Sequence, residues 1–422
     1  MLDLKYIRDN PDRIRELVTA KNTSPTLVDD FLKHDTRRRT IIAEVESLKH
    51  ERNQLSQRIA EEKKAGRDGA DIIALGRTVS DKAQTLDSEL REVEDALHQV
   101  QLRIPNLPHS SVPIGDESHN RDMRAWGERP SPNFKALPHW ELGEKLGIYD
   151  GEAGTNVSGS GFFVLRGDGA RLQRALVNFM LDRHAQFGYI EHRLPYLVTS
   201  KTMQGTGQLP KLAEDMYHIE ADDMWLIPTA EVPLTNLEAG SIIQEATLPR
   251  KWCAYTPCFR REAGAAGKDT RGMIRVHQFD KVELVKVVQP DSSYDELETL
   301  TADAEAVLQA LGLPYRVKIL ASGDLSFAAA KCYDLEVYTA GIDGWLEVSS
   351  CSNFEDFQTR RMDLRVRPSG GGKVYFPHTL NGSALALPRT MIAIMENYQT
   401  DRGTILIPRV LHPYMGGQTE IG

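Results

Sequence analysis

Between Phe259 and Leu284 the chain reads FRREAGAAGKDTRGMIRVHQFDKVEL, which gathers four arginines, two lysines, two glutamates and a histidine around a Gly/Ala-rich centre. Guanidinium forks at that density suit a polyanion, because each matches two phosphate oxygens at once. Interspersed apolar residues predict strands over Cys258–Glu262 and Ile274–Val285, with Ala263–Gly272 as a small, flexible loop between them. Arginines on two neighbouring strands would then converge on one ligand while the loop reaches a second. A charged hairpin with a solvated face has the same composition, so this segment alone leaves both readings open.

Four other places set polar groups in unusual company. Pro228-Thr229-Ala230-Glu231-Val232-Pro233 holds a hydroxyl and a carboxylate between two prolines. A rigid backbone there can hold a small polar ligand, or simply start a helix capped by Thr229. Glu347-Val348-Ser349-Ser350-Cys351-Ser352-Asn353 puts a glutamate and three hydroxyls at the end of a predicted strand. Such oxygen donors suit Mg²⁺ taken up with substrate phosphates, and equally an ordinary polar strand end. Phe279 and Glu283 stand four apart on one strand and so share a face. An aromatic surface for a base and a carboxylate for an amine would fit one pocket there; a solvated strand face fits the spacing as well. Asn381-Gly382-Ser383 precedes a predicted helix, Leu385–Tyr398, whose Arg389 reads either as a helix-surface arginine or, because its neighbours are almost wholly apolar, as one that needs a buried anionic partner. Neither G-x-G-x-x-G nor G-x-x-x-x-G-K-[ST] occurs, which removes the two usual phosphate loops.

The elements that must position these groups fall on two sides of residue 110. Over residues 36–104, Ile41, Val45, Leu48, Leu55 and Ile59, with Arg52 at the one missing position, then Ile72, Leu75, Val79, Ala83, Leu86, Leu90, Val93, Leu97, Val100 and Ile104, keep three- and four-residue steps. That is a coiled-coil seam, broken once at Ala65–Ala70, where glycines let the chain fold back on itself. Each helix of the hairpin would be on the order of 40–50 Å long. Asn10-Pro11-Asp12 marks a helix start within residues 1–35, which read as short helices at the hairpin's base. Residues 105–150 read as a linker, and a second domain spans 111–422. In it a helical face at Leu172, Ala175, Leu176, Phe179 and Met180 precedes a strand-like Tyr189–Val198. Strands are also predicted at Asp223–Ile227, Tyr315–Ile319, Asp334–Tyr338 and Leu346–Ser350, with a helix at Leu297–Leu311. This pattern gives an α+β fold with a largely antiparallel sheet.

Heptads serve most often as dimerisation zippers, but a hairpin arm also works as a reach device. Lys49, Arg52, Arg58, Lys63, Lys64 and Arg67 lie toward its tip, where they can meet nucleic-acid phosphates, although Glu51, Glu61 and Glu62 are interleaved. The net charge of −9 confines any such contact to a local basic surface. A hydrophobic content of 41% with 26% charged residues fits a globular enzyme, and no apolar run approaches the ~18 residues of a bilayer span. The N-terminus lacks the apolar core of a signal peptide. Cys253, Cys258, Cys332 and Cys351 have no C-x-x-C spacing, which argues against a zinc ribbon or a disulfide framework and predicts a reducing, cytoplasmic setting.

Taken in order, the segments resemble the bacterial seryl-tRNA synthetases among the class II aminoacyl-tRNA synthetases. The resemblance is carried by MLDLKYIRDNP, the heptad arm, TGQLPK at 206–211, PTAEVPLTN at 228–236, FRREAG…RVHQFDKVEL, EVSSCSNFEDFQTRR at 347–361 and TLNGSALALPRTMIAIMENYQ at 379–399. It implies a class II antiparallel sheet flanked by helices behind an antiparallel coiled-coil arm that grips tRNA. It also implies a homodimer whose interface lies around Ala170–Pro195. The implied reaction joins L-serine to ATP as seryl-adenylate, then to the 3′ end of tRNA(Ser) and, where it exists, tRNA(Sec). By resemblance the ATP residues are Arg260, Arg261, Glu262, Arg275, Val276, Phe279, Glu347, Val348, Ser349, Ser350 and Arg389, with Arg260, Arg275 and Arg389 catalytic. Arg260 would bridge the serine carboxylate and α-phosphate, Glu262 the adenine amino group, Phe279 the ring, and Arg275 and Arg389 the outer phosphates. Glu347 and Ser350 would ligate Mg²⁺, with no zinc. Thr229, Ala230, Glu231, Arg260, Glu283, Asn381 and Ser383 would line the serine pocket, while Lys268 and Arg271 on the loop, and Arg52, Arg58, Lys63 and Lys64 on the arm, would touch tRNA.

Four positions depart from the family's usual residues: Asn156, Gly161, Leu194 and Ser326. None is assigned to ATP or serine, so activation is expected to be intact, but they admit a divergent second copy, antibiotic-tolerant or specialised in serine activation. A ligase loading a carrier protein is expected to lack the arm, and a non-catalytic paralogue to lose Arg260, Glu262, Arg389 or Glu347; this chain keeps all of them.

Overall fold

The computed structural model describes residues 1–263 and 271–422. They form two compact units, Leu2–Pro105 and Asn106–Gly422, the latter with Met1.

The first unit contains α1 (Leu4–Asp9), α2 (Pro11–Ala20), α3 (Thr26–Lys64) and α4 (Ala70–Arg103). Pro11 occupies the first turn of α2, where its missing N–H costs nothing. The long helix starts at Thr26, ten residues before the expected boundary. Val28 and Phe31 are fully buried there and begin the heptad spacing, but the next seam residue is Asp35, buried against Arg8 at 3.1 Å, which interrupts the apolar pattern. With 39 and 34 residues the two helices run about 58 and 51 Å, longer than the sequence suggested. Ile41, Val45, Leu48, Leu55, Val79, Ala83 and Leu86 form the buried seam. Leu75, predicted to join it, is 47% exposed. A straight helix drifts about 20° per heptad, so not every 3-4 position stays on the seam. Across the seam Arg37 meets Glu89 at 2.6 Å, Arg38 meets Glu94 at 2.9 Å and Lys49 meets Asp87 at 3.7 Å.

The second unit is built on eight strands: β1 (Arg121–Trp126), β2 (Ile190–Glu191), β3 (Arg250–Phe259), β4 (Gln278–Val288), β5 (Tyr315–Ile319), β6 (Lys331–Thr339), β7 (Gly344–Asn353) and β8 (His378–Ala386). Their order is β1-β5-β6-β7-β8-β4-β3-β2, antiparallel except for the short β2 beside β3. Helices α5 (Asp168–Gln186), α6 (Ser293–Leu311) and α7 (Leu387–Asn397) pack on the sheet in one continuous apolar core. In α6 the buried Leu297, Leu300, Ala304, Val307, Leu308 and Leu311 make the stripe that covers it. Strand alternation sorts the chemistry from the core: on β4, Val282 and Leu284 enter the core while Phe279, Lys281 and Glu283 face a cavity.

Several predicted boundaries move. β3 stops at Phe259 and β4 starts at Gln278, so Arg260–Glu262 and Ile274–His277 are not strand. The Phe259–Gln278 pair is the last rung, and Glu262 beyond it has φ +51°. Asn381–Ser383 lies inside β8 rather than before a helix, and α7 begins at Leu387 with Pro388 in its first turn. Glu347 is near the start of β7, paired with Glu336 and beside a bulge at Val348, not at the strand's end. Tyr189–Val198 supplies only Ile190–Glu191 and the start of Leu197–Thr199 as strand. The stretch read as a linker contributes the edge strand β1, and Asn106 is buried, its amide donating to the carbonyls of Ala328 at 2.9 Å and Phe354 at 2.8 Å. Among the described residues no helix is long and apolar enough to cross a membrane.

Candidate active site

A cavity of about 400 Å³ opens on the Phe279–Glu283 face of the sheet. Its walls come from separate segments, because β4, β7 and β8 are adjacent in space and each turns alternate side chains toward it. Thr229, Glu231, Arg260, Glu262, Arg275, Val276, Phe279 and Glu283 border it, as do Glu347, Val348, Ser350, Asn381, Ser383 and Arg389. Three predicted members do not. Ala230 is fully buried away from it, Arg261 is exposed, and Ser349 turns the opposite way from Ser350, its hydroxyl donating to the Ser383 carbonyl at 2.6 Å. Lys268 lies outside the described residues, and Arg271 stacks over the Trp140 ring at 5.2 Å.

One end of the cavity is a buried polar cluster. Glu283, 1% exposed, accepts from Asn381 Nδ2 at 3.1 Å and Ser383 Oγ at 3.4 Å. Lys281 Nζ sits 2.5 Å from its carboxylate and donates to Thr229 Oγ1 at 2.8 Å. Thr229 is therefore more than a helix cap, although its hydroxyl also accepts the Glu231 N–H ahead of the short helix Glu231–Thr235. Glu231 accepts from Gln358 Nε2 at 2.7 Å, and burial together with the Glu283 charge pushes its carboxyl up to about 7. Asn381 Oδ1 is buried without a hydrogen-bond partner. The cluster thus has a carboxylate excess and an orphan acceptor, which suits a small cationic ligand carrying hydroxyl and amine donors.

The other end is ruled by arginines. Arg260 donates to the Pro228 carbonyl at 3.3 Å, and its guanidinium lies 5.1 Å from the centroid of the Phe279 ring. Arg275 pairs with Glu262. Arg389 donates to the carbonyls of Ile274 at 3.1 Å and Glu347 at 2.8 Å, and the Glu347 carboxylate is 3.6 Å away. The anionic partner expected for Arg389 is therefore present, on an exposed rather than a buried glutamate. Behind Glu347, burial and its negative charge push Asp334 well above the usual carboxylate range; Asp334 pairs across the strands with Ser350.

Sequence reasoning missed Lys281, Gln358 and Asp334. Lys281 had a signal, since it lies between Phe279 and Glu283 on the same strand face. Gln358 and Asp334 had none, because only the folded sheet brings them beside Glu231 and Ser350. Of the four departures from the family's usual residues, Ser326 borders the cavity.

Residues 216–398 match the tRNA synthetase class II core domain (G, H, P, S and T), and residues 1–108 match the Seryl-tRNA synthetase N-terminal domain. The serine–tRNA ligase of Thermomicrobium roseum is 54% identical over 100% of this chain and 95% of its own. This chain belongs to the seryl-tRNA synthetase family. The serine–tRNA ligase of Geobacter sulfurreducens is 51% identical, with 100% of both chains covered. The crystal structure of seryl-tRNA synthetase from Pyrococcus horikoshii complexed with ATP superposes with a TM-score of 0.95 at 36% identity, covering 100% of this chain and 99% of that one. The family and the class II fold read from the sequence are borne out. Identity of this level along the whole chain does not favour a divergent copy with another task.

On the arm, Arg52, Arg58, Lys63 and Lys64 are exposed. None of the four has a carboxylate within ion-pair distance among the described residues, whereas Arg37, Arg38 and Lys49 are paired across the seam and Arg67 at the tip pairs with Glu62 at 2.5 Å.

Proposed function

We propose that the cavity activates L-serine with ATP and passes the seryl group to the 3′ end of tRNA(Ser), and of tRNA(Sec) where that tRNA exists. The observation that carries this reading is the division of one cavity into a carboxylate-rich end around Glu283 and an arginine-rich end around Arg260, Arg275 and Arg389. Serine's ammonium and hydroxyl go to Glu283, Glu231, Thr229, Asn381 and Ser383. Its carboxylate turns toward Arg260, which also meets the α-phosphate. A carboxylate oxygen then forms a bond to the α-phosphorus as the α–β bridging P–O bond breaks and pyrophosphate leaves with the electron pair. Catalysis here is positioning and charge stabilisation. In the second step the terminal ribose hydroxyl attacks the acyl carbon and AMP departs.

Ion-pair exchange accompanies nucleotide binding in this reading. Arg275 gives up Glu262 and Arg389 gives up Glu347 to take the outer phosphates, which frees Glu262 for the adenine amino group beside Phe279. Glu347 and Ser350, with Asp334 behind them, present oxygen donors and crowded carboxylates that fit Mg²⁺. When bound, the ion supplies charge neutralisation to the triphosphate. The pocket rejects alanine because a missing hydroxyl leaves buried polar groups unpaired, a discrimination that reaches roughly 10⁴-fold.

Outside the cavity, the unpaired cations near the arm's tip support a tRNA contact, with Lys268 and Arg271 meeting the acceptor end. The exposed Ile190 on the open sheet edge supports a homodimer through the region around Ala170–Pro195. Four free, buried cysteines support a cytoplasmic setting. The test is ATP–pyrophosphate exchange with serine, threonine and alanine, run beside charging of purified tRNA(Ser). Serine-selective exchange with charging is the expected result. Exchange without charging would remove tRNA as the acceptor, and no serine-dependent exchange would remove the assignment altogether.

A further inference from the structure

Behind the arginine end lies a buried pair with no role in the reading above. The side chains of His139 and Glu396 are both 0% exposed. Glu396 Oε1 accepts the His139 backbone N–H at 2.9 Å and its Nδ1 at 3.0 Å, while Oε2 accepts the N–H groups of Gly341 at 2.9 Å and Ile342 at 3.0 Å. The other ring nitrogen, Nε2, stands 3.0 Å from the backbone nitrogen of Met273. A backbone amide only donates, so Nε2 carries the lone pair and Nδ1 the proton that goes to Glu396. The ring is neutral and held in one tautomer.

The fit extends to the neighbours. Gly272 has φ +64°, and a Cβ there would fall 2.2 Å from His139 Nε2. Trp140 carries the Arg271 guanidinium on its ring. Residues 139–140 therefore grip 271–273, at the start of the stretch Met273, Ile274, Arg275 and Val276 that forms the cavity wall. The next carbonyl, that of Ile274, is held by Arg389. Arg389 and Glu396 stand seven residues apart, two turns along α7, and so lie on the same side of it. One rigid helix fixes the 273–274 step from both sides: directly through Arg389, and through His139 from Glu396.

We propose that His139 is a positioning residue for the activation step, whose neutral imidazole anchors the Met273 amide and so sets Arg275 for the nucleotide. The inference rests on the reading of Arg275 as an ATP ligand. It requires an effect on ATP and not on serine, which a general packing role would not produce. The test compares two variants in pyrophosphate exchange. Asparagine keeps a donor at the Nδ1 position but has no acceptor at the Nε2 position; glutamine can restore that acceptor. His139→Asn is expected to raise KM for ATP about tenfold, with KM for serine within about twofold, and His139→Gln to recover most of the loss. Equal ATP effects in the two variants, or parallel rises in both KM values, overturn the proposal. Should neither variant fold, Gly272→Ala presses on the same ring from the loop side. It is expected to show the same ATP-selective rise, and an equal effect on both substrates overturns the proposal. Arg275→Ala separates the two levels: an unchanged KM for ATP there removes the underlying ATP reading. A rise there with no effect in His139→Asn removes only the positioning role.

Discussion

The arm and the catalytic unit handle charge in opposite ways. On the arm, ion pairs such as Arg37–Glu89 are solvent-exposed and lie along a simple two-helix seam. In the cavity, Lys281–Glu283 is almost fully buried, and each member has further polar partners from other segments. An exposed pair is worth about 0–1 kcal/mol, whereas breaking a buried one leaves an uncompensated charge that costs about 3–5 kcal/mol. Charge on the arm is therefore free to be spent on a partner, while charge in the cavity is organised for a ligand of fixed size and sign.

The largest expected effect is at Glu283. Glu283→Gln, which keeps the side chain's shape but removes the counter-charge of the buried Lys281, is expected to lower kcat/KM for serine in pyrophosphate exchange by about 10²–10³-fold and to lower stability by about 3–5 kcal/mol. A variant with parental exchange would remove the buried cluster from serine binding. Next comes the arm. Lys49 and Asp87 already face each other at 3.7 Å, so residues 50–86 can be replaced by a short glycine-rich turn. Charging of tRNA(Ser) is expected to fall on the order of 10²-fold in kcat/KM while exchange stays within about twofold, as loss of several phosphate contacts requires. Equal loss of both activities would make the arm structural.

A smaller effect concerns pH. Glu231 has its carboxyl raised from 4.5 to about 7, so the folded chain binds more protons than the unfolded one between those values. Stability is expected to decline as pH rises from 4.5 to 7, by on the order of 3 kcal/mol, and then to level off. Over the window from pH 6 to 8, kcat/KM for serine is expected to rise roughly tenfold as Glu231 ionises. Glu231→Gln should flatten both profiles; a parental pH profile in that variant would assign the titration elsewhere. The smallest effect is expected at Arg37→Ala, below about 1 kcal/mol in urea unfolding. A larger loss would show that the arm's exposed pairs carry its stability and would erase the contrast with the cavity.

Legibility followed the same division. The heptads of α3 and α4 were readable because a coiled-coil seam is a local pattern, and the reading failed only where polar Asp35 and exposed Leu75 broke that pattern. In the second unit the chemistry-bearing segments stood out by composition, and family resemblance supplied their order. Their secondary structure is less legible: local pattern sets Asn381–Ser383 before a helix although it lies within β8, and carries through Arg260–Glu262 a strand that ends at Phe259. Hydrogen bonding to a neighbouring strand decides such boundaries, and the neighbour is distant in sequence.

By itself the sequence determined the hairpin, the α+β class, the family and most of the side chains around the cavity, because these depend on residue type, spacing and order. Only the tertiary structure decided that Lys281 neutralises part of Glu283, that Glu262 and Glu347 hold Arg275 and Arg389, and that Ser349 turns away while Ser350 faces in. It alone brought His139 and Glu396, 257 residues apart, into contact behind Met273. Burial, charge pairing and tautomer are set by what surrounds a group in space, and those surroundings come from every part of the sheet at once.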